Sequence, residues 1–428
     1  MKIGESTAGG ERVVCYRTRA GYRLSVIPKP GFAKIYAMFG TRYGSMDTVC
    51  HPAGKPSFAV PDGTAHFMEH KLFEGETEDA FTRYAKTGAN ANAYTTFDKT
   101  VYLFSCTERF EESFAILLDF VTHPYFTEQT VAKEQGIIGQ EIKMYEDDPQ
   151  WRVVLNLLRA LFVNNPVRID TAGTVETIAT ITPEILYGCY EAFYNPENME
   201  IVVCGDVDPD RVFAQCDAAL PEKKADKPER SMPDEPDGVT KARVEQRLSV
   251  AMPQFLIGFK EPSPKEGVDA VRQEVESDLI LELLFGSSSP FYRELYEAGL
   301  INADFSAGYD QGYRYGLSLI GGESRDPDAV VRRVAETLKT ARENGLDAEA
   351  FSRVRRKNYG DVMRSFNQVE NVAQRVLDLH MLGATLPDLL QTLKTVSLED
   401  CENRLREHFT EAHMALSIVI PENKEEKQ

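Results

Sequence analysis

"PEKKADKPERSMPDEPDGV" (residues 221–239) decides how the rest of the chain is divided. Proline and charge dominate it and apolar side chains are few, so it cannot bury a core and reads as a linker. It splits the 428 residues into halves of similar size. On its N-terminal side, "MEIVVCGDVDPDRV" (199–212) has the pattern of a strand, a turn and the start of a helix. Further upstream, "RFEESFAILLDFVT" (109–122) places Phe110, Phe114, Leu117 and Leu118 on the stripe of a half-buried helix. Residues 127–145, 150–163 and 183–193 continue in that style. "RVVCYRT" (12–18), "YRLSVIP" (22–28) and "AKIYAMFG" (33–40) alternate like neighbouring strands. On the C-terminal side, "RLSVAMPQFLIGFKEP" (247–262) takes the same part. Helical patterns follow at 268–286, 326–343, 347–364, 367–381 and 396–409, with a hairpin at 303–322 and a closing strand, "HMALSIVI" (413–420). Two halves with one strand-then-helix order imply duplicated α+β domains, 1–222 and 244–428, joined by 223–243.

Composition narrows the function. The formal net charge is −19, with no run of lysine or arginine long enough to track phosphates. Such a field repels polyanions, so no nucleic acid and no anionic membrane partner is expected. The first residues lack the apolar core of a signal peptide. No apolar run approaches the roughly 20 residues that cross a bilayer. The seven cysteines (15, 50, 106, 189, 204, 216 and 401) are scattered, odd in number and without CxxC spacing. They read as buried thiols of a reducing compartment, and a cytoplasmic location is expected.

Two of only seven histidines stand four apart in "GTAHFMEHKLFEG" (63–75). Asp62-Gly63-Thr64 offers a turn and an N-cap, and Gly75 a stop, so about three turns of helix lie between them. At roughly 100° per residue, His66, Glu69, His70 and Phe73 share one arc, with Ala65, Met68 and Leu72 broadly opposite. Two imidazoles one turn apart can aim at a single point, the bite that a tetrahedral Zn²⁺ takes. Glu69 can face a water there without ligating and accept its proton as general base. A third ligand is needed. "TEQTVAKEQGIIGQEIKMYEDDPQW" (127–151) puts Glu134 and Glu141 two turns apart on nearly the same face of a helix. A carboxylate on an apolar surface is costly unless paired, and a divalent cation is one partner. On the residues alone, both glutamates, and the His/Glu helix itself, also fit a solvated charged surface.

HFMEH (66–70), followed by a helix bearing Glu134 and Glu141, resembles the inverted zinc-binding motif of the pitrilysin-type, or M16, metallopeptidases. "GANANAYTTFDKTVYLFSC" (88–106) is similar to that family's strand pair after the zinc helix. "DTAGTVETIATITPEILYGCYEAFYNPENMEIVVCGDVD" (170–208) resembles the end of its first domain. The resemblance implies two homologous α+β domains, each a mostly antiparallel sheet covered by helices, together forming half of a clamshell. It implies a zinc endopeptidase holding one Zn²⁺ per chain, with His66, His70 and Glu141 as ligands and Glu69 as general base. Glu134 would orient a ligand. A peptide substrate would add as a strand beside Asn90, Ala91 and Asn92.

The sequence departs from the family in its second half. Active members carry there an arginine and a tyrosine, seven apart, that hold the substrate carbonyl and the oxyanion. In "FYRELYEAGLINADFSAG" (291–308), Tyr296 stands at the arginine position and Ala303 or its neighbour at the tyrosine position. The expectation is a heterodimer with a paralogous M16 chain that lacks the zinc motif and supplies the pair; a homodimer is the alternative. A non-hydrolytic scaffold or maturation factor, or a metal-storage module, are the competing functions. His51, beside Cys50, reads as loop structure rather than metal, and His123, His380, His408 and His413 lack a partner at ligand spacing and read as structural. "GDVDPD" (205–210) and "GSSSPF" (286–291) read as turns into helices rather than ion or phosphate loops.

Overall fold

The alternating stretches become strands, described in a computed structural model that covers residues 1–222 and 226–422. In chain order these are β1 (Lys2–Ala8), β2 (Glu11–Arg17), β3 (Arg23–Pro28), β4 (Ile35–Thr41), β5 (Val49–Cys50), β6 (Phe58–Ala59), β7 (Asn90–Thr95), β8 (Thr100–Cys106) and β9 (Met199–Gly205). The second half adds β10 (Arg243–Leu248), β11 (Gln254–Lys260), β12 (Ser306–Gly312), β13 (Tyr315–Glu323) and β14 (Met414–Pro421). One sheet runs β1-β2-β3-β9-β4-β8-β7 and the other β10-β14-β11-β13-β12, while β5 and β6 form a short ladder of their own. Pairing is antiparallel except at β3/β9 and β10/β14. In both sheets the last strand slots between the first and second of a five-strand set, and a hairpin completes the edge. The shared permutation is the structural form of the duplication expected from element order.

Five helices matter for the site: α1 (Thr64–Leu72), α2 (Ala80–Thr87), α3 (Phe110–Thr122), α4 (Glu128–Glu146) and α5 (Pro149–Leu161). The stripe on α3 is buried as its spacing requires, with Phe114 and Leu117 fully enclosed. Each such side chain contributes roughly 1.5–3 kcal/mol through burial. β1 carries no periodic apolar signal and most of it is exposed; α2, which buries Ala80, Tyr84 and Thr87 on one face, was not expected either.

The compact units are not the contiguous ranges 1–222 and 244–428. The first comprises Met1–Ile142, Ile169–Ser231 and Val362–Pro387; the second comprises Lys143–Arg168, Met232–Asp361 and the segment from Asp388. Each unit thus takes a helix from the other half of the sequence. In the second unit, α5 packs on β11 and β14. In the first, the helix Val369–Leu382 packs on β4 and β9. A glycine makes room in each case. A Cβ on Gly40 of β4 would lie 2.7 Å from Met381 Cε, and one on Gly258 of β11 would lie 2.7 Å from Leu161 Cδ1 and 2.9 Å from Leu157 Cδ2. Apolar patterning identifies each helix but not the sheet that it covers.

Residues 223–225 of the expected linker lie outside the described residues. The remainder is mostly exposed, but two of its charged side chains are held. In the first unit, Arg230 donates to both oxygens of Asp47 at 2.7 and 2.8 Å, and both side chains are buried. In the second, Glu235 accepts from the backbone N–H groups of Val163, Asn164 and Asn165 and from Lys260 Nζ. The charges that read as solvated in the sequence are used to strap the segment down.

Candidate metal centre

α1 begins at Gly63, whose backbone is left-handed at φ 91° and whose Cβ would lie 2.4 Å from the carbonyl oxygen of Ala172. Only glycine fits there. Thr64 Oγ1 donates to the Pro61 carbonyl at 2.6 Å, closing the turn. Ala65, Met68 and Leu72 face the core as expected. Phe73 does not share the presented arc: the helix ends at Leu72, and Phe73 is its buried C-cap, stacked on Phe81 and Phe120. Gly75 lies beyond that stop. Lys71, fully buried and paired with Glu74, was not expected from the sequence.

His66 and His70 present their rings 4.7 Å apart, centroid to centroid. Their Nε2 atoms stand 3.7 and 3.6 Å from the two oxygens of Glu141. One ligand atom from each residue falls within 4.8 Å of the others. These separations are too long for good hydrogen bonds. They are close to the roughly 3.3 Å expected between ligands bound about 2.0–2.2 Å from one tetrahedral zinc. α4 therefore brings Glu141 to both Nε2 atoms, and these three side chains could hold a metal ion.

Glu134 does something else. Its Oε1 accepts from His70 Nδ1 at 2.9 Å, which leaves the lone pair on Nε2. Burial alone would lower the His70 pKa, but the Glu134 hydrogen bond and the charges of Glu69, Glu134 and Glu141 outweigh it and raise it. Burial likewise pushes Glu134 up, and the contact with His70 more than reverses that. His66 is lowered to about 4, first by burial and then by His70, so its ring is neutral at physiological pH. Its Nδ1 is buried without a hydrogen bond among the described residues. Two neutral-capable imidazoles and a carboxylate, with one ring oriented by a second acid, fit a zinc ion in donor type and spacing.

Glu69 is turned to a different partner: its Oε2 accepts from Thr95 Oγ1 at 2.6 Å. Burial raises its pKa, and the threonine hydroxyl opposes the shift in part. Thr95 was not anticipated. It sits in the quoted strand pair, but nothing in the sequence tells which residue of β7 meets α1.

Among the described residues β7 is the sheet's edge, paired with β8 alone, so Asn90, Ala91 and Asn92 lie on an edge strand. Ala93 N–H is accepted by Asn92 Oδ1 at 2.9 Å, which puts that backbone group on the unpaired side. Elsewhere, His51 meets Ser231, His380 meets Glu200, and His408 meets Ser318, all structural contacts. Asp208 and Ser289 cap the helices Pro209–Ala219 and Pro290–Glu297, as the two turn readings require. Tyr296 is 52% exposed and stacks on Tyr292. Among the described residues no helix is long and apolar enough to cross a membrane.

Residues 60–175 match the family model described as Insulinase (Peptidase family M16), and residues 180–358 match Peptidase M16 inactive domain. The chain is 40% identical over 412 residues to YmfH, an uncharacterized zinc protease of Bacillus subtilis (strain 168), covering 94% of this chain and 95% of that protein. It is 24% identical to YmxG, another uncharacterized zinc protease of that organism, over 84% of this chain and 88% of that one. The crystal structure of a putative M16-like peptidase from Alicyclobacillus acidocaldarius superposes with a TM-score of 0.93 at 37% identity, covering 96% of this chain and 99% of that chain. The periplasmic protease PqqL of Escherichia coli shares the fold, at 17% identity and a TM-score of 0.76, with 98% of this chain matching 48% of that one. Sequence and fold agree, and the chain belongs to peptidase family M16.

Proposed function

We propose that this chain is a zinc-dependent endopeptidase that hydrolyses peptides or short unfolded protein segments within a closed chamber. The observation that carries the reading is the convergence of His66 Nε2 and His70 Nε2 on Glu141 while Glu69, one residue away, remains outside the donor set. His66, His70 and Glu141 would hold one Zn²⁺ per chain. That ion, when bound, supplies Lewis-acid activation of water and of the scissile carbonyl. Glu69 accepts the water's proton as the new C–O bond forms and returns it to the amide nitrogen as the C–N bond breaks. Glu134 keeps His70 in the tautomer with Nε2 free. The substrate lies along β7 beside Asn90, Ala91 and Asn92, borrowing the open edge as a strand partner.

The partner reading rests on Tyr296 and on Ala303 or its neighbour, which stand where active family members carry arginine and tyrosine, and on the match of this chain to about half of a longer relative. A paralogous chain without the zinc motif supplies the missing pair in a heterodimer, with a homodimer as the alternative; the compartment is cytoplasmic. Light scattering and peptide cleavage by the pure chain test this, and full hydrolysis by a monomer contradicts it. A non-hydrolytic scaffold is favoured by one observation, the match of residues 180–358 to a domain described as inactive. Glu69→Gln separates the two functions. Zinc content is expected to persist while peptide hydrolysis falls by about 100-fold or more; a wild-type chain that binds zinc and cleaves nothing from a peptide library, alone or with its paralogue, supports the scaffold.

A further inference from the structure

The Thr95 hydroxyl has two side-chain neighbours within hydrogen-bond distance. Its Oγ1 lies 2.6 Å from Glu69 Oε2 and 3.3 Å from Thr100 Oγ1. Thr100 Oγ1 donates its own proton to the Tyr43 carbonyl at 2.9 Å. Thr100 therefore has no proton for Thr95, and the Thr95 proton goes to the shorter contact, the Glu69 carboxylate. The backbone here is held by ladder and turn hydrogen bonds. Thr95 pairs with Thr100 at the closed end of the β7/β8 hairpin, and Thr96 N–H donates to the Lys99 carbonyl at 2.8 Å across the turn. Residues to either side are pinned within the same unit: Tyr94 OH bonds Gln374 and Lys99 Nζ bonds Asp378 at 2.7 Å.

We propose that Thr95 is a positioning residue for hydrolysis: its hydroxyl occupies Oε2 of Glu69 and leaves Oε1 as the oxygen that takes the proton from water and hands it to the leaving amine. The proposal rests on the endopeptidase reading. A carboxylate oxygen that already accepts a short hydrogen bond is the less basic of the two. The proton consequently resides on Oε1 in the acid form, while Oε2, now the carbonyl-like oxygen, keeps accepting from Thr95. The same hydroxyl serves both protonation states without rotating, so the carboxyl plane is fixed through the transfer and the return. β7 thereby has two duties, an edge for substrate and a clamp for the base.

The test compares Thr95→Val, which keeps shape and strand propensity, with Thr95→Ser, which keeps the hydroxyl, in the zinc-loaded assembly that cleaves a fluorogenic peptide. The expected result for Thr95→Val is a fall in kcat of about 10–100-fold, with KM and zinc affinity within about twofold of wild type. Thr95→Ser is expected to recover kcat to within about threefold. A second readout needs no activity: a crystal structure of metal-free Thr95→Val is expected to show the Glu69 carboxylate rotated away from its wild-type plane. Wild-type kcat in Thr95→Val, when Glu69→Gln is inactive, overturns the proposal and leaves the endopeptidase reading intact. An unmoved Glu69 in that crystal also overturns it. Retained hydrolysis by Glu69→Gln overturns the endopeptidase reading instead.

Discussion

The two units answer the same topology with different chemistry. Each threads five strands in one order and takes in a helix from the other half of the chain. The connection from the second to the third of these strands differs. In the first unit it is the β4–β7 connection, where α1 displays His66, Glu69 and His70. In the second it is the β11–β12 connection, where the helix Gly267–Phe285 buries Val271, Val275, Leu279 and Ile280 instead. The second unit still buries ionisable groups: Glu261, Arg404 and His408 lie together, with His408 Nε2 2.9 Å from Ser318 Oγ. There a guanidinium neutralises the carboxylate and a strand hydroxyl takes the imidazole. In the first unit, the Glu141 oxygens face two imidazoles. Topology sets where side chains can meet; whether an acid meets an arginine or a histidine sets whether a cation has somewhere to bind.

Removing donors from the first unit gives the largest expected effect. Glu141→Ala is expected to weaken zinc binding more than Glu134→Gln does, and Glu134→Gln to weaken it by about 10–100-fold, since one removes a ligand and the other frees a ligand's ring. Competitive titration with a chromophoric chelator measures both. Equal losses would erase the distinction between ligand and orienting acid.

Acid titration sharpens the comparison next. His66 and His408 are both held below the ordinary 6.5 by burial, His66 at about 4 and His408 well below 6.5. The unfolded chain protonates such rings first, so their stabilisation is complete above pH 6.5 and is lost as pH falls towards and through the folded value. The Tm of the metal-free protein is therefore expected to fall between pH 6.5 and 4. Zinc is expected to raise the Tm and to steepen its fall with pH, because a metal-held imidazole cannot take the proton that the unfolded chain takes, whereas His408→Asn is expected to reduce the slope with or without zinc. A slope that zinc flattens, or that His408→Asn leaves unchanged, contradicts the pairing of these two histidines.

The smallest effect concerns the two glycines beneath the exchanged helices. Gly258→Ala drives a methyl into the branched ends of Leu157 and Leu161, and about 1–3 kcal/mol of destabilisation is expected. Gly40→Ala chiefly meets the flexible tip of Met381, and about 1 kcal/mol or less is expected. Urea unfolding of both variants checks the order.

Much of this was legible before any coordinates. The stripe on α3, the strand patterns and the spacing from His66 to His70 are local, so a sequence window contains them. The choice of Glu141 over Glu134 was not readable from the helix itself, because both face one side; it came from family resemblance. The exchange of α5 and the helix Val369–Leu382 escaped because an apolar face does not name the sheet that it covers. Thr95 escaped for the same reason at smaller scale: a threonine in a strand carries no mark of the glutamate that it meets. The linker misled because Arg230 and Glu235 look solvated until Asp47 and Lys260 arrive from distant sequence.

The most direct measurement is anomalous diffraction at the zinc edge from crystals of the chain grown with Zn²⁺. The account predicts a single peak per chain in the first unit, about 2.0–2.2 Å from His66 Nε2, His70 Nε2 and an oxygen of Glu141. A peak ligated by Glu69 or Glu134 in place of Glu141, or no peak at these histidines, would contradict it.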